Sequence, residues 1–122
     1  MKLETEKHVL KDMGEQLQRA MIVPMYNIGE YKFDTNTRQL IYKTESVKLT
    51  SKEAYLLVML AANQNNFLER KFILNLIWRE DSFNASRSMD VYVCKLRNLL
   101  AKDTNINIIN LHGKGHKLVI AA

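Results

Sequence analysis

The sequence predicts an α+β domain in which a small antiparallel sheet is followed by three helices and a C-terminal β-hairpin. Three observations support this order. Residues 25–49 contain short runs rich in Tyr, Ile, Phe and Val that are separated by turn-forming residues. Residues 50–102 contain apolar residues at helical spacing, and residues 106–120 contain two β-rich runs joined by a glycine-containing turn. A chain of 122 residues, 47% of them hydrophobic, can bury a core as one domain.

The first 24 residues are expected to precede this domain. We predict a linker or N-terminal segment at residues 1–24 and the domain itself at residues 25–122. Apolar residues recur at spacings of three and four before Pro24, which indicates an amphipathic helix: Leu10, Met13, Leu17 and Met21. A partly frayed terminal tail is the alternative interpretation of the same segment.

The first helix of the domain begins at a capping box. The Thr50 hydroxyl can accept a hydrogen bond from the N–H of Glu53, and the Glu53 carboxylate can accept one from the N–H of Thr50. The apolar run that follows is predicted to bury one face, formed by Leu56, Leu57, Leu60 and Ala61. A second helix is predicted over residues 70–78, and a polar loop follows it at residues 79–84.

The third helix is predicted from Ala85 to Lys102, and its two faces differ. A core-facing stripe follows the i, i+4, i+7, i+11 pattern: Met89, Val93, Leu96 and Leu100. The opposite face carries Arg87, Val91, Cys94, Lys95 and Asn98. An α-helix fits the major groove of DNA, where cations bind phosphates and guanine edges, amides bind adenine and small apolar groups contact thymine methyls. A solvated polar face is the alternative interpretation of this helix taken alone.

The C-terminal hairpin and the charge distribution favour the DNA interpretation. The net charge is +5, and residues 84–122 carry six basic and two acidic side chains. The hairpin turn, residues 112–115, is short and cationic, and such a turn beside a groove-reading helix can reach the minor groove or flanking phosphates. Helix and hairpin together describe a helix-turn-helix with a wing. Asp90 would repel phosphates, so we expect a structural role in which it hydrogen-bonds a neighbouring donor such as Arg87 or a backbone N–H.

Other kinds of site receive little support. The chain has no P-loop, dinucleotide-binding glycine fingerprint or G-x-S-x-G motif, so we expect no cofactor and no enzymatic activity. His112 and His116 have a spacing found in zinc sites, but no further ligands cluster with them; the alternative is that both share one face of the hairpin. The single cysteine, Cys94, is consistent with a reducing cytoplasm. We interpret it as a small side chain that the helix face tolerates, and a redox-sensitive thiol is the alternative interpretation. No segment is long and apolar enough for a membrane span or a signal peptide.

Several ordered motifs run through residues 25–120. They are LT-x-x-E at Leu49–Glu53, the helix Arg70–Trp78, S-R-x-x-D-V at Ser86–Val91, the pair Leu96-Arg97 and the closing G-x-G hairpin. Together they resemble the OmpR/PhoB-type effector domain of two-component response regulators. The resemblance implies a winged helix-turn-helix with a four-stranded N-terminal sheet, three helices and a C-terminal hairpin wing, which binds double-stranded DNA sequence-specifically to regulate transcription.

The resemblance also implies roles for individual residues. Lys95 matches the position that most often reads bases, and Val91 lies beside it. Positions that contact the DNA backbone are matched by Arg87, Tyr92 and Arg97, and the wing positions by Asn110, His112 and Lys114. Residues of the loop that faces RNA polymerase in activating members are matched by Arg79, Glu80, Asp81, Ser82 and Phe83. The chain departs from the usual family residues at Arg79, Ser82, Tyr92, Cys94, His112 and His116.

Partners follow from the same resemblance. Family members often bind direct-repeat half-sites as tandem dimers, and we expect this chain to be a monomer that pairs on DNA. Their receiver domain carries a phosphorylatable aspartate and is paired with a sensor histidine kinase. Residues 1–22 cannot hold a receiver, so the chain is either the effector half of a longer protein, which we favour, or a free-standing regulator. A protein-interaction module that keeps the winged fold is the rival interpretation.

Overall fold

The computed structural model describes residues 14–121, and helix α1 is the first element in this part of the chain. Residues 14–22 form the described part of α1. Ala20 is buried in the core, and the hydroxyl of Tyr26 donates a hydrogen bond to its carbonyl oxygen at 2.6 Å. These contacts hold α1 against the domain, so a frayed tail does not describe residues 14–22. Two of the predicted apolar positions, Leu10 and Met13, lie outside the described residues.

Four short strands form an antiparallel meander in sequence order. They are β1 (Met25–Ile28), β2 (Tyr31–Asp34), β3 (Gln39–Tyr42) and β4 (Glu45–Lys48). Side chains alternate between the two faces of a strand, so one face of this sheet turns to the core. Its buried residues are Ile28, Tyr31, Phe33 and Leu40, of which Phe33 and Leu40 lie opposite each other in β2 and β3. The predicted four-stranded sheet is confirmed.

Helix α2 (Ser51–Ala62) lies at the centre of the core. It begins as predicted, because the Thr50 N–H donates to the Glu53 carboxylate at 2.8 Å and the Glu53 N–H donates to the Thr50 hydroxyl at 3.3 Å. Every side chain from Leu56 to Ala61 is buried. The expectation of a single apolar face was too narrow, because α2 lies between β1, the C-terminal hairpin and the last helix.

The second predicted helix has two parts. Helix α3 (Arg70–Ile73) is α-helical, and a π-helix (Leu74–Trp78) continues it. The predicted limits of residues 70–78 are confirmed, whereas the wider π turn was not predicted. Arg79 ends the π-helix in the left-handed conformation, with φ of +57°.

Helix α4 (Phe83–Leu99) is the third predicted helix, and its limits differ from the prediction at both ends. It starts two residues before Ala85 because the Ser82 hydroxyl accepts a hydrogen bond from the Ala85 N–H at 3.1 Å and caps the helix. It ends three residues before Lys102, whose N–H donates to the Tyr31 hydroxyl at 3.1 Å instead of continuing the helix. The predicted core stripe is confirmed, since all four members are buried: Met89, Val93, Leu96 and Leu100.

The C-terminal hairpin pairs strands β6 (Ile106–Asn110) and β7 (Gly115–Ile120), as predicted. We call this hairpin, with its turn at residues 111–114, the wing. A third strand, β5 (Leu68–Glu69), pairs with the other edge of β7 and was not predicted, because two residues carry no periodic signal. A side chain at Gly115 would collide with the Leu68 carbonyl oxygen, so the glycine allows β5 to approach β7.

Candidate nucleic-acid interface

Helix α4 presents one exposed face, and the five residues predicted for it lie there. Arg87, Val91, Cys94, Lys95 and Asn98 occupy positions i, i+4, i+7, i+8 and i+11, and all are exposed. Val91 is 53% exposed on a helix whose other apolar positions largely turn inward. The face therefore offers cations, an amide and a small apolar group together, which are the groups that recognise phosphates and base edges in a major groove.

Tyr92 lies beside this face and is half-buried. Its ring meets Trp78 edge-on, with ring centroids 5.7 Å apart, and the Trp78 indole N–H donates to the Ser88 hydroxyl at 3.1 Å. The ammonium of Lys95 lies 4.9 Å from the centroid of the Tyr92 ring, which is a cation–π geometry. Tyr92 thus packs the π-helix against α4 and supports Lys95. A contact of Tyr92 with the DNA backbone stays a prediction.

Arg70 joins α3 to α4, a role that the sequence analysis did not identify. Its side chain is only 15% exposed, and its guanidinium donates to the hydroxyl and the carbonyl oxygen of Ser86 at 2.9 and 2.8 Å. The same group donates to the Asp90 carboxylate at 2.8 Å. Asp90 therefore has the structural role that was expected, but its partner is Arg70 of α3 and not Arg87 or a backbone N–H. The sequence could show that Asp90 needs a cation, but only the fold brings Arg70 to it.

Arg97 joins the wing to α4. Its Nε and Nη2 donate to the carbonyl oxygen of Ile108 in β6, at 3.1 and 2.8 Å. A guanidinium has five N–H donors, and these two bonds leave part of the group to meet a phosphate. The structure therefore shows a clamping role that was not predicted. The predicted contact of Arg97 with the DNA backbone stays a prediction.

The wing ends in a tight turn at residues 111–114. His112 and Gly113 have φ values of +52° and +72°, and a backbone hydrogen bond of 2.9 Å closes the turn. Two successive positive φ values are typical of a type I′ turn. The Asn110 carboxamide oxygen accepts a hydrogen bond from the Gly113 N–H at 3.1 Å, so this side chain fixes the turn. All three predicted wing residues are exposed: Asn110, His112 and Lys114.

An open cleft of about 460 Å³ separates the wing turn from the first turns of α3 and α4. A hydrogen bond of 2.7 Å from the Arg70 N–H to the Lys114 carbonyl oxygen holds the wing turn beside α3. Lys71 and Ser86 also line the cleft, and neither was a predicted site residue. Nothing in the sequence shows that they face the wing, because three separate elements form the cleft.

The predicted polymerase-contact residues are divided between a loop and a helix. Arg79, Glu80 and Asp81 are exposed in the loop. Ser82 caps α4 and Phe83 is its first residue, so the loop is shorter than the predicted residues 79–84. Phe83 is 75% exposed. Whether these residues touch a polymerase stays a prediction.

The two wing histidines do not share one surface. His112 is exposed in the turn, whereas His116 is only 1% exposed. Burial lowers the pKa of the His116 imidazole, and the nearby guanidiniums of Arg70 and Arg97 lower it further, while the Asp90 carboxylate acts in the opposite direction.

Metal-binding clusters and membrane spans are both absent from residues 14–121. This part of the chain contains no group of three or more His, Cys, Asp or Glu side chains placed to hold a metal ion. None of its helices is long and apolar enough to cross a membrane. Cys94 is a free, exposed thiol on the outer face of α4.

Comparison with known proteins identifies relatives. A family model described as "Transcriptional regulatory protein, C terminal" matches residues 44–118. The chain is 47% identical over 95 residues to the transcriptional regulatory protein RprY of Bacteroides fragilis, and this match covers 78% of the chain and 40% of RprY. The chain therefore spans less than half the length of the curated relatives that it matches.

Solved structures share the fold. The DNA-binding domain of CpxR from E. coli is similar with a TM-score of 0.71 at 21% identity, covering 81% of this chain and 99% of that one. The DNA-binding domain of Klebsiella pneumoniae RstA, solved in complex with the RstA box, has a TM-score of 0.65 at 23% identity and covers 78% of this chain and 96% of that one. These identities establish the winged helix-turn-helix fold alone. The family model and the RprY match go further: the chain belongs to the family of OmpR/PhoB-type DNA-binding effector domains, the C-terminal domains of transcriptional regulatory proteins.

Proposed function

We propose that this domain binds double-stranded DNA sequence-specifically, with α4 in the major groove and the wing turn on the adjacent minor groove or its phosphates. The observation that carries the proposal is the exposed face of α4, where Arg87, Lys95 and Asn98 surround the exposed apolar side chain of Val91. One exposed valine alone is common on protein surfaces, but here cations and an amide accompany it on the same helix face. A face that reads thymine methyls beside phosphates uses both.

The contacts divide into those that read bases and those that position the domain. Lys95, Val91 and Asn98 would read base edges, because they lie along the middle of the exposed face of α4. Phosphate and groove contacts would come from Arg87, Tyr92, Cys94, Arg97, Asn110, His112 and Lys114. The Arg70–Asp90 ion pair supports these DNA contacts, because it neutralises the acidic side chain of α4 that would otherwise repel phosphates.

The cleft between the wing turn, α3 and α4 would receive one phosphate of the DNA strand that crosses from the major to the minor groove. Lys71 of α3 and Lys114 of the wing line the cleft together with the acidic side chains of Glu69 and Asp81, and Ser86 lies on its α4 wall. Phosphate contacts of this kind position a protein on the duplex without reading sequence. We therefore add Lys71 and Ser86 to the DNA-binding residues.

The full-length protein would be a response regulator with a receiver domain, paired with a sensor histidine kinase in the bacterial cytoplasm. The identity to RprY, combined with the coverage of less than half of that protein, supports this proposal. The domain would be a monomer alone and a tandem dimer on direct-repeat half-sites. The exposed loop Arg79–Asp81, together with Phe83, would contact RNA polymerase.

Selection of bound duplexes from a random DNA pool, at physiological salt and with competitor DNA, tests the proposed function. We expect enrichment of a defined half-site, repeated in tandem at a spacing of about one helical turn. Enrichment of no sequence, by both this domain and the full-length protein, would contradict the proposal. The rival protein-interaction module would then be tested next, through early elution from heparin.

Substitution of Lys95 tests its base-reading role on the selected duplex. Lys95→Ala should weaken binding by about 1–3 kcal/mol and relax specificity at one base pair. Arg87→Ala should instead weaken binding to all duplexes alike and reduce the salt dependence. Lys32→Ala, an exposed cation of β2, is the matched control and should leave affinity unchanged. An equal loss for every sequence with Lys95→Ala would show that Lys95 binds phosphate only.

A further inference from the structure

His116 occupies the middle strand of the three-stranded sheet at the base of the wing. It lies opposite Asn110 of β6 on one side and Leu68 of β5 on the other. Its side chain is 1% exposed, and neither ring nitrogen has a hydrogen-bond partner among residues 14–121. A buried imidazole in such a position is tolerated when neutral, because charging it would add a cation that water cannot solvate.

The charged groups that face His116 come from both helices packed against the wing. They are Arg70 of α3 and Arg97 and Asp90 of α4. The strand neighbours with charges, Glu69 and Lys117, point to the opposite side of the sheet because strand side chains alternate.

Both guanidiniums have a second role in the same place. Arg70 holds Ser86 and Asp90, and Arg97 holds the Ile108 carbonyl oxygen. The two guanidiniums that act on His116 are therefore the same groups that link α3 and β6 to α4.

We propose that neutral His116 is a positioning residue that keeps the wing docked on α4, and that its protonation releases the wing and weakens DNA binding. An imidazolium at this site would repel Arg70 and Arg97, and it would compete with Arg70 for Asp90. Both links between the wing side and α4 would weaken. The wing turn, with Lys114, would then no longer be held at a fixed distance from the exposed face of α4.

The direction of the pH dependence follows from the pKa. The folded-state pKa of His116 lies below the ordinary histidine value of 6.5, because burial and two guanidiniums disfavour the charged form. The unfolded chain therefore binds the proton more tightly than the folded chain does. The stabilisation by neutral His116 is complete above the ordinary value and is lost as the pH falls below it toward the folded-state pKa.

A chain with His116 as its single histidine isolates this effect. His8, which lies outside the described residues, and His112 are replaced in the variant His8→Gln/His112→Gln, and a second variant adds His116→Phe. Unfolding by urea and hydrogen exchange of the β6 and β7 amides are measured without DNA from about pH 8 to about pH 5.5. With His116 present, we expect acid to lower the urea midpoint and to lower the protection factors of the wing amides, which are corrected for the intrinsic pH dependence of amide exchange. In the variant that carries His116→Phe, both quantities should change little.

His116→Tyr serves where the phenylalanine variant does not fold, because tyrosine is also a large aromatic side chain and does not titrate in this range. Equal pH dependence of wing exchange with and without His116 would overturn the proposal. So would an imidazole signal in NMR that titrates at or above the ordinary histidine value.

A second measurement determines DNA affinity, with a duplex recovered by the selection described above. Of the two measurements, only this one rests on the proposed function. The affinity of the single-histidine chain should fall by a factor of about three or more between pH 7.5 and pH 5.5, and the variant without His116 should show a flat profile. Affinities that fall equally in both chains would contradict the inference. Failure of the unmodified domain and of the full-length protein to enrich any duplex would contradict the proposed function instead, while the DNA-free measurements would still decide the role of His116.

Discussion

Gly29 shows how a single residue fixes the contact between the N-terminal sheet and the segment that joins α4 to β6. It has a φ of +56°, and a Cβ at this position would collide with the carboxylate of Asp103. That carboxylate is buried and accepts a hydrogen bond from the Glu30 N–H at 2.8 Å, so it holds the end of α4 against the turn between β1 and β2. The glycine is needed both for its backbone conformation and for the space that it leaves.

Gly29→Ala is expected to destabilise the domain by about 1–3 kcal/mol, because the alanine would be strained at positive φ and would displace the Asp103 carboxylate from its hydrogen bond. Urea unfolding measures the effect. Gly14→Ala is the matched control: a Cβ at Gly14 meets no atom of residues 14–121 within 4 Å, and alanine favours a helix, so stability should rise by up to about 1 kcal/mol. Equal stability of the Gly29→Ala variant and the unmodified chain would contradict this account.

Individual residues divide into those that local rules predict and those that need a distant partner. The capping pair Thr50 and Glu53 and the exposed face of α4 could be predicted, because helix geometry relates residues three and four positions apart. Arg70 could not be recognised as the partner of Asp90, since twenty positions separate them and only the packing of α3 on α4 brings them together.

At the scale of elements, α4 is held at its two ends by different arginines. Arg70 binds its first turns through Ser86 and Asp90, and Arg97 binds β6 from its last turns. Both links use several N–H groups of one guanidinium, a geometry that an ammonium group does not reproduce. The orientation of the wing relative to the exposed face of α4 therefore depends on hydrogen bonds as well as on apolar packing.

Arg97→Lys tests this dependence while preserving the charge. We expect faster hydrogen exchange of the β6 and β7 amides and a loss of about 1–2 kcal/mol in the free energy of unfolding, because the paired bonds to the Ile108 carbonyl oxygen are lost. Arg87→Lys is the control on the same helix, since the Arg87 side chain is exposed, and it should leave wing exchange unchanged. Unchanged wing exchange in Arg97→Lys would show that apolar packing alone orients the wing.

At the scale of the whole molecule, the two sheets share one core through α2. This helix is buried from Leu56 to Ala61 and packs against β1, β7 and α4. Because α2 contributes to every part of the core, it couples the stability of one sheet to that of the other. The domain is therefore expected to unfold in one step.

Two probes that observe different parts of the domain test this cooperativity. Trp78 is the single tryptophan and reports on the contact between the π-helix and α4, whereas far-UV circular dichroism reports on all helices and strands. The urea midpoints from tryptophan fluorescence and from circular dichroism should coincide. Separate midpoints would show that the contact between the π-helix and α4 unfolds independently of the rest of the domain.

The amino-acid sequence alone predicts the order of the elements other than β5, the core stripe of α4 and the residues of its exposed face, because each of these depends on a local repeat or a capping rule. It also determined the family, through motifs in a fixed order. The folded structure was needed to reveal the short strand β5, the two arginine links, the cleft with Lys71 and Ser86, and the burial of His116. These features join residues that lie far apart in the chain, and their contacts exist only after the core around α2 has brought the elements together.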